Sequence, residues 1–450
     1  MLLAAAWQRL LVVGVVLAVL WAAVLWVAPS TPSTSPAQPS VPVASGPVPM
    51  PATARGALHV VAQSDLPAPG GGRFDRFDVP GQPAFAPVNV RGQVAFYGSV
   101  LRALGREGIF RVDAGRIAKV AAFGDAVPSG GTLAGFGADP LPAMNATGHV
   151  AFNAQIAGGR ATEGVFLAGD EGLAEIALAG DEAPGVPFGV LASFDTPTLN
   201  DADELAFVAN VRRGRDTLDV LYFWNGRRLQ RLVAEGELLL RIGGAMDKIG
   251  EPALNNAGVV AFPAAVLKGP TPGGIFVSGA RTLQLLVRAG DQTPSGAMVL
   301  RVSERVAIDD ADGIAFGAYL SGNGGAREAV LRFSSGEGLS EIAVEGAPAP
   351  GGGRYAGFGP WPTVAPEGVT AFVAAIDGGR GPLAAFAGRA GEIKPIVTMG
   401  EALPDGGKVG RFALNAVTAA GPDGRLTITT IAEDPSGHNA IYCRCAAAER

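Results

Sequence analysis

The side chains in this sequence best suited to gripping a ligand are arginines accompanied by a few aromatics. Arg73, Arg102, Arg106, Arg212, Arg213, Arg215 and Arg354, with Trp361, all stand in or beside segments punctuated by glycine and proline. A guanidinium presents a planar fork of donors that matches a carboxylate or phosphate, and an aromatic face accepts a cation or the face of a sugar. Asp65, Asp125, Asp181 and Asp291 form a second set, each closing an apolar run shortly before a proline. A catalytic carboxylate is needed once, whereas this one recurs. It reads as a side chain that accepts backbone N–H bonds and fixes the start of a loop. The competing chemistry is a ring of carboxylates holding calcium, the one cofactor the sequence leaves open. Asp309, Asp310 and Asp312 before Gly313 resemble a calcium loop superficially, but the alternating ligand spacing and distal glutamate are missing, so a turn is expected.

Other chemistries find less support. His59, His149 and His438 fall in separate segments, and none stands beside a nucleophilic serine, so no hydrolytic triad can be assembled. Cys443 and Cys445 are two apart on an extended run, a spacing that strains a direct disulfide and supplies too few ligands for zinc. The PGGGR segments at 69–73 and 350–354 lack the Lys-Ser/Thr ending of a phosphate loop. With 35 Lys and Arg against 41 Asp and Glu, a formal net charge of −6, there is no basic field for nucleic acid.

These residues are positioned by a repeat. Ala-Phe recurs at Ala95-Phe96, Ala151-Phe152, Ala206-Phe207, Ala261-Phe262, Ala315-Phe316 and Ala371-Phe372, and the next step lands on Thr427-Ile428. Six residues earlier stand Asn89, Asn145, Asn200, Asn255, Asp309, Ala365 and Gly421, and a second landmark of the GIF type (108–110, 164–166, 274–276) keeps phase. A fixed period of about 55 residues marks a repeat architecture. Sixty-five glycines and 34 prolines, without long 3.6-residue stripes, argue for short strands joined by turns. Each copy reads as four strands. Strand A is the few residues before the Asn; Asn-x-x-Gly is a tight turn; strand B carries Ala-Phe, strand C the GIF run, and strand D ends at Gly-Asp. Four antiparallel strands per copy make a propeller blade. A D-type strand at 57–65 precedes the first A strand, and the last copy stops at its C strand near Ile441. The expected fold is therefore an all-β, seven-bladed propeller over residues 56–450, closed by pairing the N-terminal strand with the last C strand.

The N-x-x-G-x-x-A-F signature, clear at Asn89, Asn145 and Asn255 and looser at Asn200, resembles that of bacterial exported NxxGxxAF tandem-repeat proteins, which include choice-of-anchor proteins. Asp309, Ala365 and Gly421 depart from it. The resemblance implies a propeller-like fold and export, and no reaction.

Chain order separates two sides of such a blade: A–B and C–D turns on one, B–C and D–A connections on the other. The turns are tight, whereas the D–A and B–C connections look long and variable, so the arginines and Trp361 fall on the side expected to work. Ahead of the repeats, residues 10–27 are eighteen consecutive apolar residues preceded by Arg9, enough to cross a bilayer with the N-terminus inside. Residues 1–27 are expected to be a transmembrane anchor, a cleaved signal peptide being the alternative, and residues 28–55, rich in Pro, Ser and Thr, an extended spacer. The expected role is a non-catalytic module in the bacterial envelope, outside the cytoplasm, binding a protein or glycan. The alternative is an enzyme acting on an envelope polysaccharide or another polymer.

Overall fold

The computed structural model describes residues 48–49, 58–78, 86–137, 140–279, 282–322, 324–365, 368–403, 406–420, 425–431 and 438–444. All lie in one compact unit, residues 44–450. The expected anchor over 10–27, and the linker over 28–55 apart from Val48–Pro49, lie outside the described residues. No helix among the described residues is long and apolar enough to cross a membrane.

Six antiparallel sheets each gather consecutive strands of one repeat, and the first also takes in Val48–Pro49, which pairs with Arg116 and Ile117. In the third, Gly189–Phe194 and Thr198–Leu199 pair with Leu205–Arg213, which pairs with Asp216–Trp224, which pairs with Leu229–Ala234. Strand A is longer than the sequence suggests. It begins directly after the D–A connection and is kinked midway, where the register slips between Leu191 and Ser193. A further sheet joins the chain ends: His59–Gln63 lies beside Asn439–Arg444, with Ala62 opposite Ile441, and Arg425–Ile431 and Phe412–Ala420 complete it. Cys443 in this sheet is fully buried and disulfide-bonded.

Ala-Phe explains how the sheets stack. Neighbouring residues of a strand point to opposite faces. Phe152 therefore packs on Phe166 of its own sheet, ring centroids 5.7 Å apart, while Ala151 meets Phe207 and Tyr222 of the next. Small against large lets adjacent sheets approach closely. The same ring pair recurs as Phe96–Phe110 at 5.8 Å, Phe262–Phe276 at 5.6 Å and Phe372–Phe386 at 5.5 Å. Each such pair adds about 0.5–1.5 kcal/mol beyond its buried area. The cores pass from sheet to sheet in chain order: Ala95 meets Phe152, Ala206 meets Phe262, Ala261 meets Phe316, Val330 meets Phe372 and Ala371 meets Tyr442. Val61, Ala62 and Ile441 then pack on Phe96 and Phe110 of the first sheet.

The A–B turns also join sheet to sheet. Asn145 is only 3% exposed; its Oδ1 accepts the N–H groups of Thr147, Gly148 and His149 at 3.1, 3.1 and 3.0 Å. Its Nδ2 leaves the turn and donates to Asn200 O at 3.2 Å and Asp203 Oδ1 at 2.9 Å in the next repeat. Asn89 reaches Asn145 O at 2.9 Å, Asn200 reaches Asn255 O at 3.1 Å and Asn255 reaches Asp309 O at 3.2 Å. Asp309 has no amide to continue the series. Its Oδ1 caps the N–H groups of Ala311 and Gly313, and its Oδ2 accepts from Arg332 Nη2 at 3.0 Å. Asp309, Asp310 and Asp312 thus form a turn. At the axis, the A-strand ends of six repeats, from Val88, Met144 and Leu199 to Leu254, Ile308 and Val364, close around one cavity of about 210 Å³.

Candidate axial binding site

The D–A connections, expected to be long and variable, are compact hairpins closed by the same backbone bridge: Pro67 with Arg73, Ala126 with Thr132, Glu182 with Val190, and so on to Ala402 with Lys408. Glycine makes this possible. In PGGGR, Gly70, Gly71 and Gly72 hold φ of 89°, 106° and 77°, a region costly for any side chain. The recurring acid fixes the hairpin: Asp125 Oδ2 accepts the N–H of Ala122, and Asp291 Oδ2 that of Arg288, both at 2.8 Å. Asp181 instead pairs with Arg160 at 2.5 Å, and Asp65 takes up a φ of 65° at its hairpin. Among the described residues, no three His, Cys, Asp or Glu side chains are grouped to hold a metal ion.

The arginines singled out by sequence separate into three sets. Arg73 donates to the carbonyl of Asp65, and Arg354 to that of Gly346 at 2.7 Å, so both brace their own hairpins. Arg102 and Arg106 lie exposed in the first B–C connection, and Arg212, Arg213 and Arg215 at the exposed tip joining Leu205–Arg213 to Asp216–Trp224. Trp361 alone lies at the kink of an A strand, between Arg354–Phe358 and Thr363–Ala365.

The kinks build the site. In the third, fourth and sixth repeats the N–H of Asp195, Gly250 and Gly359 bonds the residue after the strand-B Phe, and the following residues leave the sheet. Glu251 Oε2 pairs with Arg305 Nη1 at 3.1 Å, and the Arg305 guanidinium lies 5.2 Å from the Trp361 ring centroid. Three successive repeats thus contribute one carboxylate, one guanidinium and one indole to a continuous arc. Beside it opens a cavity of about 290 Å³ lined by Gly137, Asn153, Glu163, Asp195, Thr196 and Glu251. His149, by contrast, lies among the A–B turns, its Nδ1 2.9 Å from Asp203 Oδ1.

Sequence reading missed the acid that stands in strand C, ahead of its apolar run, in four of the repeats. Glu163 Oε1 accepts the N–H of Phe194 at 2.9 Å, and Glu328 Oε2 that of Phe358 at 2.8 Å, each across the seam to the next repeat's strand A. Asp219 bonds the N–H of Ile249 in the same way. These carboxylates fix the kink from outside. The signal was present: an acid recurs at Glu107, Glu163, Asp219 and Glu328, just before the GIF-type strand.

Burial raises the Glu163 carboxyl above its ordinary value of 4.5, outweighing the lowering effect of the Phe194 N–H. A raised folded-state pKa means that Glu163 contributes most to stability below pH 4.5 and loses that contribution as pH rises through its folded value. Glu163→Gln keeps an oxygen for Phe194 and carries no charge. Its urea midpoint should gain on the wild-type between pH 4.5 and 7, whereas Glu163→Ala should cost about 1–3 kcal/mol throughout. Parallel midpoint curves for wild-type and Glu163→Gln would contradict this assignment.

Blade-like sheets whose A strands converge on an axis, with a polar site at their kinks, define a β-propeller. Residues 45–406 match a family of unknown function, DUF7453, and the chain belongs to that family. No curated protein matches it. Similar solved structures include the Trypanosoma rangeli sialidase in complex with the inhibitor DANA, at 12% identity and TM-score 0.36 over 71% of this chain and 57% of the sialidase. The Aleuria aurantia lectin AAL is 11% identical, TM-score 0.34, over 72% of this chain and 95% of the lectin. A prolyl endopeptidase is 11% identical, TM-score 0.38, over 77% and 46%. This chain spans little more than half the length of the sialidase.

Proposed function

We propose that this propeller is a binding module of the bacterial envelope that holds a protein or glycan at its axial site without converting it. The observation that carries the reading is the Glu251–Arg305–Trp361 arc beside the 290 Å³ cavity. It combines an aromatic face with donors and acceptors held by their neighbours, the lining expected of a specific polar ligand site. The nearby carboxylates have structural partners: Glu163 and Glu328 on backbone N–H groups, Glu304 with Lys248 at 2.9 Å. In this reading the sheet joining the chain ends is a seventh blade, supported by its cores with both neighbours, and the ring has no open edge. Residues 10–27 tether it to the membrane and residues 28–55 space it outside the cytoplasm, as the apolar run and the charge-free, proline-rich stretch suggest.

A second reading, an enzyme on an envelope polysaccharide, draws on one observation: Glu163, with its raised pKa, shares the cavity with Asp195 and Glu251. A carboxyl with a raised pKa beside another carboxylate is the pairing glycosidic cleavage uses. The two readings separate in one experiment. Detergent-solubilised full-length protein, immobilised and exposed to envelope extract, should retain material, and Trp361→Ala should reduce retention about tenfold or more. Its Tm should stay within about 2 °C of the wild-type. Unchanged retention would refute the axial site; soluble fragments released by the wild-type but not by Glu163→Gln would establish the enzyme.

A further inference from the structure

We propose that the D–A side of the third, fourth and fifth repeats is a docking surface for an anionic bilayer. Exposed bulky apolar side chains are unevenly placed in this molecule. Of nine among the described residues, all but Val90 stand at or beside D–A hairpins and B–C tips. Six of them belong to three consecutive repeats: Phe188, Leu238, Leu240, Leu267, Met298 and Leu300. Single exposed apolar residues are ordinary, whereas a gathered set marks an interaction surface.

Each of these repeats brings its hairpin and its B–C tip together. Gly189, directly after Phe188, pairs with Arg213; Ala245 pairs with Leu267; the Met298 N–H donates to Ser321 Oγ at 2.8 Å. The cores join the third repeat to the fourth and the fourth to the fifth, so the three sets of tips follow one another along one side. The backbone holds the apolar groups outward at a cost. Phe188 is 94% exposed and sits at φ 61°, a conformation that suits glycine and strains a bulky residue. Leu239 is buried, while Leu238 and Leu240 on either side of it are 70% and 91% exposed. Lys268, directly after Leu267, takes up φ 55°. Strain gathered at loop tips points to a function for the groups it displays.

The charges select the partner. The tips at 186–189, 211–217, 238–244, 267–272 and 294–298 carry Arg212, Arg213, Arg215, Arg241 and Lys268 against the single carboxylate of Asp216. None of the five cations is in an ion pair among the described residues. The whole chain carries −6, so these tips run against its overall sign. Glu182, Glu235 and Glu237 stand behind the tips at the base of their hairpins, and Glu237 is held by Arg231 at 3.1 Å. Aliphatic groups interleaved with cations on projecting tips fit the boundary between lipid headgroups and acyl chains. The apolar ends enter it and the cations meet phosphate. Each cation brought to an anionic surface strengthens partitioning about fivefold. A protein partner calls instead for apolar groups gathered in a charge-poor centre, whereas here they stand among cations.

The test uses full-length protein with one added cysteine carrying an environment-sensitive fluorophore. Leu240→Cys places it on the proposed surface, and Glu171→Cys on the C–D turn between Glu163–Gly169 and Gly172–Leu178, on the opposite side. Cys443 is disulfide-bonded, and no free cysteine stands among the described residues. The protein is reconstituted with vesicles of phosphatidylcholine alone or with about one quarter phosphatidylglycerol, both doped with spin-labelled lipid as quencher. In the anionic vesicles the fluorophore at 240 should be quenched about twofold or more, and that at 171 should not change. Phosphatidylcholine alone, about 0.5 M salt, or the double variant Arg213→Glu/Arg241→Glu should each remove most of the quenching. Both arginines are exposed, and the Tm of the double variant should stay within about 2 °C of the wild-type. Equal quenching at both positions, or quenching at 240 that survives the charge reversal, would overturn the proposal. Shielding of the fluorophore at 240 by added envelope protein, without lipid quenching, would overturn it in favour of a protein-docking face. Salt-resistant sedimentation with vesicles and no quenching at 240 would leave the tether at residues 10–27 standing and refute this surface.

Discussion

Asn255→Ala should destabilise the folded chain by about 3 kcal/mol. Loss of a side-chain cap alone costs about 0.5–2 kcal/mol. Here Asn255 Oδ1 also serves the N–H groups of Ala257 and Val259, at 3.1 and 2.9 Å, in a site only 3% exposed. Its Nδ2 further bonds Asp309 O and Asp312 Oδ1 of the next repeat at 3.2 and 2.8 Å, and both acceptors are left short when it goes. Aspartate keeps the cap, and from the turn alone it should substitute freely, since Asp309 occupies the same place in the fifth repeat. The seam argues otherwise. Asp309 is accommodated by the Arg332 guanidinium at 3.0 Å, whereas a carboxylate at 255 would face Asp309 O and Asp312 Oδ1 with no cation. Asn255→Asp should therefore destabilise at neutral pH at least as much as Asn255→Ala, as measured by urea unfolding. A near-neutral Asn255→Asp would show that the inter-repeat bond contributes nothing.

Removal of residues 58–63 should be more damaging still. It takes away the fully buried Ala62 and the nearly buried Leu58 and Val61, and bares the edge of Asn439–Arg444. An unpaired edge beside an exposed core invites association between chains. Tm should fall by about 10 °C or more, with aggregates by size exclusion, whereas deleting residues 28–47 should move it by about 2 °C at most. Equal melting temperatures for the two deletions would remove the closing role of His59–Gln63.

The repeat, its strand order and its turn residues were legible because they rest on local rules: two-residue alternation, a left-handed glycine, an Asn oxygen close to its own backbone. What crosses a seam was not. The Asn145 Nδ2 meets a carbonyl 55 residues away, and a turn satisfied by Oδ1 alone leaves no hint of that second partner. Glu163 looks like an ordinary strand-end acid until the next repeat's strand A brings Phe194 to it. The kink that carries Trp361 is likewise invisible, because it depends on where strand A slips against strand B. Arg73 and Arg354 looked like ligand contacts since a hairpin closed by its own arginine has the same composition as an open loop. Arg305, which meets Trp361, had no composition signal at all.

The sheet joining the chain ends also bears on how the molecule is made. Gln63 Nε2 lies 2.6 Å from His438 Nδ1, a partner 375 residues further along the chain. Within the six other sheets every strand except Val48–Pro49, which lies beside Arg116–Ala122, pairs with a near neighbour in sequence, so these can form in turn as the chain emerges. His59–Gln63 cannot. It waits for Asn439–Arg444, some 375 residues later in the chain, and contacts of such long sequence separation form slowly. Throughout that interval two strand edges stand unpaired, the condition under which nascent chains misassociate. Closure is then the step at which a chaperone would act, and the step most sensitive to truncation near the C-terminus.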